Sequence, residues 1–129
     1  MEGVIKVRQR MGQLEGVDFG EYDGYVAHYD PKRIGETIYL RPLGYNKVEK
    51  FLITDCCSWI DGSCNWMRRN NIFVEVDAKT IDRWGEALGK DLYLRLVKVK
   101  YMEDYKHAKT EEWRIKRRFR IPMHFSSSQ

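Results

Sequence analysis

Ile53-Thr54-Asp55-Cys56-Cys57 and Val74-Glu75-Val76-Asp77 are the two stretches whose reading decides the fold. Each has β-branched residues leading into an aspartate. β-Branched side chains favour pleated backbone, whereas aspartate is depleted inside strands. A strand that stops on Asp therefore marks a rim. The residue there either forms a turn by hydrogen-bonding nearby backbone, or is a carboxylate held out for chemistry. Two carboxylates in one cleft are the usual equipment of polysaccharide cleavage.

Outward from these stretches the chain breaks into short extended pieces. Residues 24–29 read as a strand closed by Asp30-Pro31, since the residue before a proline is pushed towards extended backbone. Residues 37–41 form the next, ended by Pro42-Leu43-Gly44, and 47–54 and 72–76 follow. Asp77 is a natural N-cap, and Ala78, Ile81 and Trp84 share one side at helical spacing, so a short helix starts there. Gly85 is its expected stop, and Gly89 closes a second turn. Residues 92–101 alternate, with Leu92, Leu94 and Leu96 in one phase. Residues 113–121 set Trp113, Ile115, Phe119 and Ile121 against Arg114, Lys116, Arg118 and Arg120, which predicts a strand with one wet, positive face. Residues 56–71 read as a long loop carrying Trp59 and Trp66, and long loops in compact domains tend to be functional. Many short strands with one or two short helices predict a mostly β chain forming a small barrel. The expected layout is a single domain over 1–129, with a barrel core at about 24–100 and flanking extensions at 1–23 and 101–129.

A chain of 129 residues, 43% hydrophobic and 33% charged, suffices for one packed core and is not a disordered composition. No run approaches the roughly 18 apolar residues of a membrane span. The opening Met1-Glu2-Gly3-Val4-Ile5-Lys6 lacks the apolar centre of a secretory signal, which leaves a cytoplasmic or phage-associated chain, or an envelope or secreted one with its leader removed. Net charge is +4, and the excess gathers at 114–120, where it suits a polyanion: nucleic acid, a wall polymer or a membrane surface. Of the three cysteines, Cys57 or Cys56 paired with Cys64 closes a small loop under oxidising conditions. No fourth ligand at suitable spacing supports a zinc site, and nothing implies a cofactor.

The order of parts resembles the double-psi β-barrel superfamily, which includes lytic transglycosylases, the three-aspartate domain, and rare-lipoprotein-like and expansin-like proteins. The resemblance rests on Val26-Ala27-His28-Tyr29-Asp30-Pro31, Gly35, Ile38-Tyr39-Leu40, the ordered Asp30, Asp55 and Asp77, and Gly89 followed by residues 92–97. Thr54-Asp55-x-Cys57 is similar to the "T-D-x-C" of expansin-like and barwin-like barrels. It covers about residues 24–98. Cys56-Cys57 stands where the pattern has a glycine pair, and Asp77-Ala78-Lys79 where it has D-L-S.

The resemblance implies a six-stranded double-psi barrel acting on a cell-wall glycan or other polysaccharide, most simply as a peptidoglycan lytic transglycosylase. In that chemistry one carboxyl serves as general acid and base while the sugar's own 6-hydroxyl closes on the anomeric carbon. Asp77 takes that role by position, and Asp55 is its electrostatic neighbour. His28, Tyr25, Trp59 and Trp66 are the candidate substrate contacts. Two alternatives stand beside it. One is a non-catalytic, expansin-like polysaccharide-binding barrel. The other is a structural or adaptor barrel, such as a phage or assembly protein, that docks a protein partner through the basic C-terminal strand.

Overall fold

A computed structural model describes residues 2–7, 20–56 and 63–127. The chain is mixed α/β, with a curled sheet and three helices. The strands are β1 (Glu2–Val7), β2 (Gly24–His28), β3 (Thr37–Pro42), β4 (Glu49–Cys56), β5 (Ile72–Val76) and β6 (Leu96–Met102). The helices are α1 (Ser63–Arg69), α2 (Ala78–Leu88) and α3 (Tyr105–Ser127). Spatial order is β1-β5-β2-β4-β3-β6, and β6 also pairs with β1. The pairs β1/β5 and β2/β4 are parallel; the other four are antiparallel.

The core is the inward phase of these strands. Ile38, Leu40, Phe51, Ile53, Val74 and Val76 are all fully or almost fully buried, and Val97, Val99 and Tyr101 complete the cluster from β6. Helix α2 packs Ile81 and Trp84 onto it, and the Trp84 ring meets Phe51 edge-on, with centroids 5.9 Å apart. A side chain of that size, fully buried, contributes about 2–3 kcal/mol. Helix α2 starts on Asp77, as its sequence predicts, but runs through Gly85. It ends at Gly89, whose φ of 65° is the left-handed cap that glycine adopts freely.

Four expectations are corrected. The basic segment 113–121 is not a strand but part of α3. Asp104 accepts the His107 N–H at 2.8 Å as a helix cap, and Ala108 and Ile115 are buried at helical spacing. The chain is therefore not mostly β with one or two short helices. Residues 56–71 are not all loop, because α1 lies among them; Asn71, at φ 57°, follows its end. Residues 92–95 do not extend β6. Asp91 accepts the Tyr93 N–H, Arg95 N–H bonds to Leu92 C=O, and Leu94 takes φ 56°, which together make a turn. Leu94 and Leu96 are consequently exposed, and Val97, Val99 and Tyr101 form the core phase. Finally, the sheet is not confined to 24–100, because β1 from the N-terminal flank lies within it, between β5 and β6.

A buried ion pair docks α3. Arg41 on β3 and Glu111 on α3 are 5% and 4% exposed, and Nε meets Oε2 at 2.7 Å. The guanidinium also donates to the carbonyl of Tyr45 at 3.2 Å. Val48, Met102, Ala108 and Ile115 pack around it as a second small core.

Candidate functional site

Asp77 is 3% exposed. Its Oδ1 accepts the Thr80 hydroxyl at 2.6 Å and the Tyr25 N–H at 3.3 Å, and its Oδ2 accepts the Thr80 N–H at 3.4 Å. Gly24 lies against the same group: a Cβ there would come within 2.6 Å of Asp77 Oδ1 and 2.4 Å of Thr80 Oγ1. The carboxylate therefore ties β2, β5 and α2 together. Thr80 hands the network on, accepting from Arg83 at 3.3 Å. Arg83 in turn donates to both oxygens of Glu49 at 2.9 Å, and Glu49 also accepts Trp84 Nε1 at 2.6 Å and the Tyr45 hydroxyl at 3.1 Å. Glu49 is wholly buried with its acceptor sites filled, so this network is a structural strut at the α2 end of the sheet.

Asp55 lies elsewhere. It pairs in register with Ala27 on β2, whereas Asp77 follows Val76, the partner of Val26, and so falls beside Tyr25. Strand β2 stands between β4 and β5, parallel to one and antiparallel to the other. Two strand spacings and two residues of offset separate the aspartates by roughly 12 Å at Cα. The Asp77 carboxylate is moreover turned into the α2 junction.

Near Asp55, β2 and β4 bring His28 beside Cys56 in register. His28 is 3% exposed, and burial, with Arg33 nearby, pushes its pKa down to about 4, so the ring is neutral at neutral pH. Its Nδ1 accepts the Asp30 N–H at 2.9 Å, which puts the ring proton on Nε2. Tyr29 stacks on it with centroids 4.4 Å apart. Beyond lies an ion-pair cluster in which Arg33 binds Glu36 at 2.9 Å and Glu103 at 2.8 Å and reaches the Tyr101 hydroxyl at 3.4 Å. Burial raises that phenol to about 12. Thr54, at the β2/β4 register shift, has the one buried side-chain polar atom without a partner among the described residues.

Among the proposed sugar contacts, Trp66 on α1 is 40% exposed and Tyr25 is half-buried. Trp59 and Cys57 lie outside the described residues, as does the Cys64 side chain, and with them the proposed disulfide; Cys56 is a free thiol. Among the described residues no group of three His, Cys, Asp or Glu side chains converges as a metal site, and no helix is long and apolar enough to cross a membrane.

A concavity among the described residues lies on another face. A groove of about 420 Å³ runs between the β3 turn, the end of α2 and the start of β6, with Leu43, Leu88, Leu92 and Leu96 on its apolar side. Lys90, Arg95 and Lys98 ring it, none in an ion pair within the described residues, and Asp91 is the lone anion among its lining residues. Leu43, Leu94 and Leu96 are 41%, 58% and 57% exposed, more than isolated surface leucines require. The sequence carries a signal for this face in Lys90-Asp91-Leu92-Tyr93-Leu94-Arg95-Leu96, where Asp91 sets the turn that turns Leu94 and Leu96 outward.

Comparison with known proteins adds no relative: no family model matches the chain, and no curated protein or solved structure matches it.

Proposed function

We propose that this chain is a non-catalytic docking module, a closed double-psi-type barrel that takes an acidic, leucine-bearing segment of another protein into the Leu43/Leu88/Leu96 groove. The observation that carries this is the pairing of exposed leucines with three cations that are in no ion pair among the described residues. Apolar anchors supply affinity, and opposite charge on the partner supplies steering and register. A second copy of the chain is a poor occupant, because a two-fold contact here would set Lys90, Arg95 and Lys98 against themselves. The barrel topology is supported by the two parallel pairings and by connections that skip strands. The Asp77 network speaks against the lytic reading, since a general acid needs access to the glycosidic oxygen. The half-exposed indole of Trp66 favours polysaccharide binding as a second reading.

Selection of random dodecapeptides on the folded protein tests the proposal. Enriched peptides are expected to combine Leu or Ile anchors with Asp or Glu and to lose binding to Leu96→Asp. Failure to enrich, or peptides indifferent to Leu96→Asp, would remove the groove from the function. A parallel digestion of peptidoglycan sacculi separates the rivals. Anhydro-muropeptides would restore the lytic reading, and sacculus binding lost in Trp66→Ala would establish the polysaccharide-binding one.

A further inference from the structure

Helix α3 carries a second surface that the groove does not use. Its packed side is set by Ala108, Glu111 and Ile115. On the outward side the row Tyr105, Lys109, Trp113, Arg117 advances four residues at a time, which on a helix is one continuous ridge. The row alternates aromatic and cation. Lys109 Nζ lies 5.0 Å from the Tyr105 ring centroid, and the Arg117 guanidinium lies 5.0 Å from that of Trp113. Both rings are open to solvent, at 61% and 57%. Lys106 and Lys116 flank the ridge, also exposed and in no ion pair among the described residues. Among the described residues Glu112 lies 3.3 Å from Lys109 and the cap Asp104 lies near Lys106, while Glu111 is turned inward to Arg41.

We infer that this ridge is a binding site for single-stranded nucleic acid, with Lys106, Lys109, Lys116 and Arg117 on the phosphates and Trp113 and Tyr105 as stacking platforms. Aromatic faces interleaved with cations suit unpaired bases, whose π-faces are free to stack whatever their identity. The two rings are eight residues apart, roughly 12 Å along the helix, so they receive different bases of one strand. A duplex hides its base faces and offers such rings nothing beyond its phosphates. A membrane surface requires a broad apolar helix face, and over residues 105–117 the buried Ala108 and Ile115 are turned to the sheet while the outward face is mostly charged.

Fluorescence anisotropy with labelled 15-nucleotide oligo-dT, over a salt series, tests this on the full chain. Binding is expected to weaken with salt, and Lys116→Glu/Arg117→Glu to weaken it tenfold or more while flattening the log K against log[salt] slope by about 1.4. Trp113→Ala is expected to cost roughly tenfold at an unchanged slope, because it removes stacking and no charge. All three positions are exposed, so melting temperature should hold and confirm the fold in each variant. No oligo binding at low salt, equal binding of parent and charge-reversed variant, or a 15-base-pair duplex bound as tightly as the single strand would each overturn the assignment. So would binding confined to anionic phosphatidylserine vesicles. None of these results bears on the peptide groove, which shares no residue with the ridge.

Discussion

Replacing Asp77 separates a strut from a catalyst. In Asp77→Ala the α2 N-cap is lost, which costs about 1 kcal/mol. The Thr80 hydroxyl and the Tyr25 N–H lose the acceptor they reach at 2.6 and 3.3 Å. Stranding buried donors costs about 1–3 kcal/mol, with the longer Tyr25 bond at the low end. The total is about 3 kcal/mol, a substantial part of the 5–15 kcal/mol that holds a typical domain. At this chain length that lowers the melting temperature by roughly 10 °C. Asp77→Asn keeps an oxygen for both donors and loses the favourable charge at the helix N-terminus, so about 1 kcal/mol is expected. Urea unfolding followed by tryptophan fluorescence and by far-ultraviolet circular dichroism reads both, and the expected order is parent above Asp77→Asn above Asp77→Ala. A catalytic acid behaves in the opposite way, since groups held for chemistry at the expense of stability commonly relax when removed. An Asp77→Ala protein as stable as its parent, or more so, would refute the strut.

Three further outcomes follow from the same structure. Gly24→Ala places a Cβ 2.4 Å from Thr80 Oγ1 and 2.6 Å from Asp77 Oδ1, so it should destabilise by about 1–3 kcal/mol; in a double-mutant cycle with Asp77→Ala the costs should add to less than their sum. His28 remains neutral when folded down to about pH 4, whereas the unfolded chain takes up its proton near 6.5. Stability therefore falls as pH drops through that window, by up to about 3 kcal/mol, and the slope between pH 6.5 and 5 in urea titrations should flatten in His28→Gln. Glu111→Ala leaves the Arg41 guanidinium buried without its partner and should cost about 3–5 kcal/mol, while Arg41→Met/Glu111→Leu recovers most of it, both read by thermal melts.

What the sequence made legible was local. The runs behind β2 to β5 and the Asp77 cap of α2 are each written in a few adjacent residues, and the structure places them there. What it concealed depends on distant partners. Glu49 looks like a surface residue beside Lys47 and Lys50, and its burial follows from Arg83 and Trp84, 34 and 35 residues on. The alternation of Arg114, Lys116, Arg118 and Arg120 with apolar residues imitates period two. The Asp104 cap and the Ala108–Glu111–Ile115 spacing held the competing helical signal, but Glu111 counts as inward-facing only once Arg41 is known to await it. The placement of the two aspartates was hidden for a related reason. Both stand at or just past the end of a strand, yet how two strand ends lie relative to one another depends on strand direction, and β4 and β5 run opposite ways beside β2.

The placement of β1 bears on how the molecule is made. Its residues 2–7 bond to β5 at 72–76 and to β6 at 96–102, so β1 must wait for a strand synthesised much later to complete its pairing. Until β6 is made, β1 and β3 each lack a neighbour, and unpaired strand edges are templates for aggregation. Such long-range pairing places the chain among the slow folders, in the millisecond-to-second range. Nascent chains cut short before residue 102 are accordingly the species most in need of a chaperone.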